Sequence, residues 1–274
     1  MRYRIQFILT WAADRLRAFG PAGRSLAVYD DDVFVLSYPK SGNTWARFML
    51  GNLYYPDQTV TFANVERKVP DIYQNSSSAL KALHRPRLLK SHEYLDPRYR
   101  RVIYIVRDPR DVAISYYNYM IKMRIIENSY PLLSFVKRFV KGGWDPFGSW
   151  GDHVGGWIGA RSGKDGFLLL HYEDMLADPA RELKKIAALL DLQSSDDRIE
   201  RAVQLSSFKR MQALDKQEAD RWKAIRSGQK NIPFVRKGKK GGWREELAIE
   251  AVEEIENAWS DLMSALGYSV GDRD

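Results

Sequence analysis

Short apolar runs alternate with longer segments of helical periodicity along most of this 274-residue chain. Nearly continuous apolar runs are typical of strands in a parallel sheet that is covered on both faces. Four such runs predict strands at Val33–Ser37, Leu88–Lys90, Val102–Val106 and Phe167–His171. Apolar residues at helical spacing predict helices at Thr44–Tyr54, Pro109–Met123, Pro179–Leu190 and Arg244–Leu266. The alternation of the two predicts an α/β domain of three layers, a parallel sheet flanked by helices.

Two of the predicted helices have explicit starting signals. Asp108-Pro109 and Asp178-Pro179 each supply an N-cap side chain followed by proline at the first helical position. Three stretches do not follow the alternation, and we interpret them as insertions that shape a binding site: Tyr55–Pro86, Lys122–Trp157 and Lys209–Pro233. No internal repeat or Pro/Gly-rich linker divides the chain, which predicts a single domain over residues 1–274.

The start of the chain is predicted to form an amphipathic helix over about residues 1–20. Its apolar residues recur at helical spacing: Ile5, Ile8, Leu9, Ala12, Leu16 and Phe19. We expect this helix to pack on the core, and a helix that lies in a membrane interface, as a peripheral membrane contact, is the alternative. A membrane-spanning segment would need about 20 consecutive apolar residues, and the sequence contains no such run.

The amino-acid composition narrows the chemistry that the chain can perform. There is no cysteine, which excludes disulfides, thiolate zinc sites, iron–sulfur clusters and cysteine nucleophiles. Four scattered histidines predict no metal site. A chain without cysteine fits a reducing compartment, so we expect the protein to be cytoplasmic.

The net charge of +8 comes from one segment of the chain. From Arg221 to Arg244 there are nine Lys or Arg residues and no Asp or Glu, and the remaining residues hold 34 basic against 35 acidic side chains. A local patch suits a compact anion such as a cluster of phosphates, whereas a polynucleotide calls for a longer basic stripe. We therefore expect no nucleic-acid partner, and a module that binds nucleic acid or anionic lipid through this patch is the non-enzymatic alternative.

The strongest local motif is the loop Ser37–Trp45, between the first predicted strand and its helix. A helix N-terminus that follows a strand points several free backbone amides at one place and favours an anion there. Gly42 lets the backbone approach a ligand closely, Ser41 and Thr44 add hydroxyl donors, and Lys40 adds a positive charge. The Gly-x-x-x-x-Gly-Lys-Ser/Thr pattern of nucleotide triphosphatases is absent.

Three further motifs belong to the same predicted edge of the sheet or to the basic patch. Arg107 ends a strand, where a guanidinium can hold a phosphate through two parallel bonds, and Ser115 follows two helical turns later. Lys90-Ser91-His92 also follows a strand, and a histidine beside a lysine is a candidate base for a hydroxyl group. In the patch, Arg236-Lys237-Gly238 offers side chains and backbone amides to a phosphate.

Taken in chain order, these motifs resemble the cytosolic type of sulfotransferase, which uses 3′-phosphoadenosine 5′-phosphosulfate (PAPS). Residues 38–45 are similar to the family's 5′-phosphosulfate loop, with Asn43 where threonine is commoner, and residues 106–117 are similar to its 3′-phosphate segment. Residues 90–92 and 234–243 are similar to its Lys-Thr-His and Arg-Lys-Gly segments. The resemblance implies a fold related to P-loop nucleotide kinases, and transfer of a sulfuryl group without a metal as 3′,5′-adenosine bisphosphate (PAP) leaves.

The resemblance also implies a role for each matching residue. The 5′-phosphosulfate would be held by Lys40 and by the backbone amides of Ser41, Gly42, Asn43 and Thr44. The 3′-phosphate would be held by Arg107, Ser115, Arg236, Lys237 and Gly238, and the adenine by Trp45, Tyr172 and Phe208. His92 would remove the acceptor proton, while Lys40 and Lys90 balance the charge of the transferring group.

The acceptor pocket lies outside the resemblance, and residues 55–86, 116–160 and 209–233 are expected to build it. These segments carry many Tyr, Phe, Trp and Met residues, which predicts a small apolar acceptor such as a lipid, steroid, phenol or polyketide. A hydroxyl group is the expected acceptor, ahead of an amine. Residues 209–240 are expected to be a mobile lid, because their basic side chains repel one another when no anion is bound.

Two further expectations concern the partner and the class of enzyme. The family's dimer segment aligns with residues 244–253 but has Ala248-Ile249 in place of Thr-Val, which argues against the family-type dimer. A nucleotide or small-molecule kinase with a P-loop-like fold is the alternative enzyme, although the full phosphate loop that it needs is absent.

Overall fold

The structure is a computed structural model that describes residues 21–271, and the predicted helix over residues 1–20 lies outside the described residues. Within them, one sheet has four parallel strands: β1 (Val33–Ser37), β2 (Leu88–Ser91), β3 (Arg101–Val106) and β4 (Phe167–His171). The strand order is β2-β1-β3-β4, and Val33 pairs with both Leu88 and Arg101. All four predicted strands are confirmed, and β2 and β3 are each one residue longer than predicted.

Helices lie in the connections from β1 to β2 and from β3 to β4, and they follow the last strand. In chain order they are α1 (Asn43–Tyr54), α2 (Val65–Lys68), α3 (Ser77–Lys81), α4 (Pro109–Lys122), α5 (Leu132–Val140), α6 (Trp150–Arg161), α7 (Tyr172–Ala177), α8 (Pro179–Leu189), α9 (Asp196–Leu205), α10 (Phe208–Glu218), α11 (Trp243–Glu246) and α12 (Ile249–Ala265). The predicted caps are present, since the carboxylates of Asp108 and Asp178 accept hydrogen bonds from the backbone N–H groups of Arg110 and Arg181.

Alternate residues of the strands face two separate apolar cores. Phe34 and Leu36 of β1 belong to the core that includes side chains of α4, α5, α6 and α12. Val33 and Val35 belong to the core that includes side chains of α1, α8 and α9. Since successive strand residues point to opposite faces, helices cover both faces of the sheet. This arrangement confirms the predicted three-layer α/β fold.

The prediction of one helix over Arg244–Leu266 is wrong. The structure has two helices there, α11 and α12, because Leu247 and Ala248 take extended ψ angles of 131° and 156°. The three stretches interpreted as insertions contain helices: α2 and α3 lie in the first, α5 and the start of α6 in the second, and most of α10 in the third. These short helices fold the insertions onto the edge of the sheet where β1, β2 and β3 end.

A third apolar cluster attaches the segment 209–240 to the rest of the protein. Trp222 and Ile225 are buried in it together with Phe48 of α1 and Phe62 of the first insertion. The sequence analysis predicted a mobile lid here from its basic residues alone, and these two buried side chains hold part of the segment in place. In the part of the chain that the structure describes, no helix is long and apolar enough to cross a membrane.

Candidate active site

A cavity of about 1060 Å³ opens at the carboxyl ends of β1, β2 and β3. With the exception of the fully buried Ser41, every predicted site residue lines it: Lys40, Gly42, Asn43, Thr44, Trp45, Lys90, His92, Arg107, Ser115, Tyr172, Phe208, Arg236, Lys237 and Gly238. The structure therefore brings together residues that are almost 200 positions apart in sequence.

The loop between β1 and α1 has the backbone shape of an anion site. Lys40 and Gly42 take positive φ angles of 69° and 100°, and no side chain caps the N-terminus of α1. A side chain at Gly42 would meet the Tyr172 ring at 2.5 Å, so only glycine fits there. The free amide groups at the start of α1 consequently remain available to a ligand.

Asn43 and Ser41 differ in how the fold uses them. The Asn43 amide nitrogen donates to the Val35 carbonyl oxygen at 3.1 Å and to the Ser37 hydroxyl at 3.3 Å, which holds the loop against β1. The buried Ser41 hydroxyl has no hydrogen-bond partner within residues 21–271. A buried polar group without a partner is costly, and this hydroxyl does not line the cavity.

The Lys40 ammonium lies in an aromatic and cationic environment. Its Nζ is 4.3 Å from the centre of the Tyr119 ring and 4.4 Å from that of Phe234. Burial, together with the charges of Arg107, Lys90 and other nearby cations, lowers the pKa of Lys40 to about 7. A bound anion would raise this pKa, because its negative charge favours the ammonium form.

Arg107 projects from the end of β3 toward the same loop. Its guanidinium donates to the carbonyl oxygens of Lys40 at 3.4 Å and Lys239 at 3.2 Å, and it lies 4.3 Å from the centre of the Tyr172 ring. Its Nε has no partner within the described residues. The nearest Asp111 oxygen is 3.8 Å away, which leaves the guanidinium with donor capacity for a phosphate.

Acidic residues just beyond the basic patch neutralise part of it. Arg236 Nη1 is 3.0 Å from a Glu246 carboxylate oxygen, and Lys237 Nζ is 2.7 Å from the other. Lys239 pairs with Glu245 at 2.7 Å. The mutual repulsion expected from the sequence is therefore reduced, and a carboxylate stands beside the two side chains that the resemblance assigns to the 3′-phosphate.

Asp111 positions the late basic loop, a role that the sequence did not reveal. Its carboxylate accepts hydrogen bonds from the backbone N–H groups of Gly241 at 2.8 Å and Trp243 at 3.0 Å. Asp111 lies in the first turn of α4, one turn after Arg107. The loop and the Arg107 guanidinium are thereby held to the same helix start.

Aromatic side chains form the wall of the cavity next to the predicted phosphate sites. The Trp45 and Tyr172 rings meet edge to face with centroids 5.8 Å apart, and Trp45 Nε1 donates to the Ser206 carbonyl oxygen. The Phe208 ring is 38% exposed and covers Gly238, where a larger residue would collide with it. These three rings offer a flat purine an apolar slot.

The fold determines which ring nitrogen of His92 carries the proton. Its Nδ1 is 2.7 Å from the Ser37 carbonyl oxygen, which can only accept, so Nδ1 carries the proton and Nε2 keeps a free lone pair. Burial holds the pKa of His92 well below its usual value, and the nearby Lys90 charge acts in the same direction. The ring is therefore neutral near pH 7 and able to accept a proton.

Lys90 is buried beside His92 and forms an ion pair with Asp71 at 2.7 Å. Burial lowers the pKa of Lys90, and the Asp71 carboxylate opposes this shift. Asp71 comes from the first insertion and was not singled out in the sequence, because no local pattern marks it. Its position next to Lys90 depends on the folding of the insertion over β2.

The rest of the cavity wall is largely aromatic. Tyr73, Tyr116 and Phe147 line it, and the Phe147 ring lies 5.3 Å from Tyr73 and 6.0 Å from His92 between centroids. Asp145 belongs to the same wall and accepts a hydrogen bond from the Tyr116 hydroxyl at 2.8 Å. Within residues 21–271, no group of His, Asp or Glu side chains is arranged to hold a metal ion. The cavity thus joins a cationic half and an aromatic half, with His92 between them.

Comparisons of the sequence point to one family. The family model described as a sulfotransferase domain matches residues 30–267. Mouse Sulfotransferase 1E1 is 30% identical over 251 residues, which cover 85% of this chain and 83% of that protein. Rabbit amine sulfotransferase is 28% identical over 250 residues, which cover 86% of this chain and 82% of that protein.

Solved structures agree on the fold. A mouse sulfotransferase complexed with PAP superposes with a TM-score of 0.72 at 24% identity and covers 90% of this chain and 89% of its own. Retinol dehydratase in a complex with retinol and PAP gives a TM-score of 0.75 at 20% identity, covering 92% and 86%. The predicted fold is confirmed by these likenesses. The match over residues 30–267 shows that this chain belongs to the sulfotransferase domain family, which also confirms the predicted enzyme, a PAPS-dependent sulfotransferase with PAPS as its co-substrate.

Proposed function

We propose that this protein transfers the sulfuryl group of PAPS to a hydroxyl group of a small, largely apolar acceptor, with an amine as the less favoured acceptor atom. Lipids, steroids, phenols and polyketides fit this description. The observation that carries the proposal is the position of His92, whose free Nε2 lies where the cationic and aromatic halves of one cavity meet. Because the relatives include an amine sulfotransferase and a 3-beta-hydroxysteroid sulfotransferase, they do not single out one acceptor class, and the proposed class rests on the aromatic wall of the cavity.

The cofactor roles that we propose follow the residues of the cationic half. The backbone amides at the start of α1 and the Lys40 ammonium would hold the 5′-phosphosulfate, and the uncapped start of that helix supports this role. Arg107, Ser115 and the loop of Arg236, Lys237 and Gly238 would hold the 3′-phosphate. The rings of Trp45, Tyr172 and Phe208 would enclose the adenine.

In this proposal the chain contributes position, charge and one proton acceptor. PAPS supplies an activated sulfuryl group whose bond to the 5′-phosphate oxygen breaks as the acceptor oxygen bonds to sulfur. His92 Nε2 takes the proton of the acceptor hydroxyl, which a neutral imidazole can do near pH 7. Lys40 and Lys90 stabilise the negative charge that develops on the transferring and leaving oxygens.

Turnover of PAPS with pooled small-molecule acceptors tests the proposed function. Mass spectrometry of the products should show a gain of one sulfuryl group on a hydroxyl-bearing compound, with PAP formed in equal amount. Products that gain a phosphoryl group from ATP would support the kinase alternative instead. The reaction should continue in EDTA, since the proposed roles need no metal.

We expect the protein to bind PAP in preference to ATP, because the cavity offers separate places for a 5′- and a 3′-phosphate. At a PAP concentration 100 times its Kd, the native state should gain roughly 2.7 kcal/mol. Differential scanning fluorimetry should show this gain as a rise of several degrees in Tm. An equal or larger rise with Mg-ATP would contradict the expectation.

We also propose that the chain folds as one sulfotransferase domain. Within it, residues 209–240 form a lid that binding of the cofactor orders. Trp222 and Ile225 are buried and anchor the middle of this segment, whereas Arg226 and Lys230, which follow them, are exposed. Trypsin should therefore cut the free protein first between Arg226 and Lys240, and PAP should slow that cut more than cuts elsewhere. Sequencing of the early fragments by mass spectrometry measures this. Uniform protection along the chain would contradict the lid.

A further inference from the structure

The aromatic half of the cavity contains a carboxylate that the proposed reaction does not use. Asp145 follows Trp144 in the second insertion and lines the cavity. Its two oxygens accept hydrogen bonds from the Tyr116 hydroxyl at 2.8 Å and from the Phe147 backbone N–H at 2.8 Å. These donors stabilise the ionised form, so the wall presents a fixed negative charge to the cavity.

No cation of the described residues neutralises this charge. Within residues 21–271, no Lys, Arg or His nitrogen forms an ion pair with Asp145. Arg138, which also lines the cavity, is held elsewhere: its Nε donates to the Gly143 carbonyl oxygen, and its guanidinium lies 4.1 Å from the Trp144 ring centre. Burial raises the pKa of Asp145 to about 6, which hydrogen bonds from Tyr116, Phe147 and Tyr38 partly oppose. The carboxyl group is therefore mainly ionised at pH 7.5 and unpaired.

The surroundings of Asp145 suit an organic cation. The rings of Tyr73, Tyr116 and Phe147 line the same part of the cavity. Aromatic faces attract ammonium groups, and a desolvated carboxylate adds a direct charge interaction. A neutral apolar acceptor would leave this carboxylate without water and without a counter-charge, which costs binding energy.

The place of Phe147 relates this carboxylate to the proposed reaction centre. The Phe147 backbone binds Asp145, and its ring lies 6.0 Å from the His92 ring between centroids. The proposed base and the carboxylate thus both neighbour one aromatic residue. An acceptor with a hydroxyl and an ammonium group at opposite ends of a ring or a short apolar body fits this placement.

We propose that Asp145 is a specificity-determining residue that binds a protonated amine of the acceptor while the acceptor hydroxyl faces His92. This inference rests on the proposed function and narrows its acceptor class to amphipathic hydroxylated amines. The ammonium group of the acceptor binds Asp145, and its hydroxyl group receives the sulfuryl group.

Binding of three phenols to the complex with PAP tests this inference. Tyramine, tyrosol and 4-ethylphenol share a phenol ring and end in an ammonium, a hydroxyl and a methyl group. Isothermal calorimetry should show tyramine binding about tenfold tighter than 4-ethylphenol, a difference expected of one desolvated charge interaction beside aromatic rings. Tyrosol should bind about as weakly as 4-ethylphenol.

The variant Asp145→Asn removes the charge and keeps the shape. It should bring tyramine within about threefold of 4-ethylphenol and leave the affinity for 4-ethylphenol and PAP unchanged. Asp261→Asn, the same change at an exposed position of α12, is the matched control and should keep the wild-type preference. If Asp145→Asn no longer binds PAP, Asp145→Ser serves as the second variant.

The outcomes separate this inference from the proposed function. Equal binding of tyramine and 4-ethylphenol to the wild-type protein would overturn the role of Asp145, as would a preference that survives its substitution. Tyrosol that binds as tightly as tyramine would show recognition of any donor and would overturn the assignment to an amine. Absence of sulfuryl transfer to every phenol would contradict the proposed function, while the binding preference would still report on Asp145.

Discussion

Replacing His92 by alanine should lower the turnover of sulfuryl transfer by about 10²–10⁴-fold, the usual contribution of general-base catalysis. The reason is local: Nδ1 donates to Ser37, so Nε2 is the proton acceptor that the variant loses. PAP affinity should stay within about twofold of wild type, because His92 has no proposed contact with a phosphate. Steady-state kinetics with a phenol acceptor and calorimetry with PAP measure the two effects separately.

A second histidine supplies the control for this experiment. His84 is exposed and does not line the cavity, so His84→Ala should keep wild-type turnover.

The lowered pKa of His92 also means that its base form persists on the acid side of pH 6.5, and kcat/KM should not fall with the usual histidine pKa. Wild-type turnover in His92→Ala would contradict the assignment of His92 as the general base.

The sheet was predictable because its strands are apolar on both faces. Each residue of β1 is fully buried. The run from Val33 to Ser37 therefore lacks both the alternation of a half-exposed strand and the periodicity of an amphipathic helix. A strand buried in this way can be recognised from its own residues. The loop between β1 and α1 was predictable as a candidate anion site for a similar reason, since a strand, Gly42 and a helix start follow one another directly.

The helix α6 shows why other elements were missed. It contains four glycines, which lower helix propensity, and two of them lie close against aromatic side chains from other parts of the chain. A side chain at Gly151 would collide with the Trp259 indole, and one at Gly156 would come within 3.0 Å of the Tyr94 hydroxyl. The sequence alone does not show these partners. A start signal was present, however, because Ser149 and Asp152 form a capping box.

The carboxylates of the site were the least predictable part. Asp71 and Asp145 reach the cavity only through the folding of the insertions, and nothing near them in sequence marks their partners. Glu246 was missed for another reason: it lies two residues beyond Arg244, where the acid-free stretch ends. The stretch looked unneutralised along the chain, but in space Glu246 pairs with Arg236 and Lys237.

The other large effect is expected at Lys40. Replacing it by methionine should weaken PAP binding by about 10–100-fold, the usual cost of one hydrogen bond to a charged group. It should also lower kcat by about 10²–10³-fold, because the same ammonium would stabilise charge on the transferring group. His92→Ala and Lys40→Met therefore differ in their effect on PAP affinity. Calorimetry and single-turnover kinetics distinguish them.

The pH dependence of PAP binding isolates the charge of Lys40. Its pKa of about 7 in the free protein leaves it mostly neutral above that pH, and a bound phosphate favours the ammonium form. Binding should therefore take up a proton, and wild-type affinity should fall from pH 7 to pH 9 by up to about tenfold per unit. The phosphates of PAP hardly titrate there, since their second pKa is about 6. In Lys40→Arg the side chain stays charged, so the affinity for PAP should change little between pH 7 and pH 9. Lys90 is present in both proteins, so its titration does not account for a difference between them. Parallel slopes for the two proteins would show that Lys40 is already charged before PAP binds.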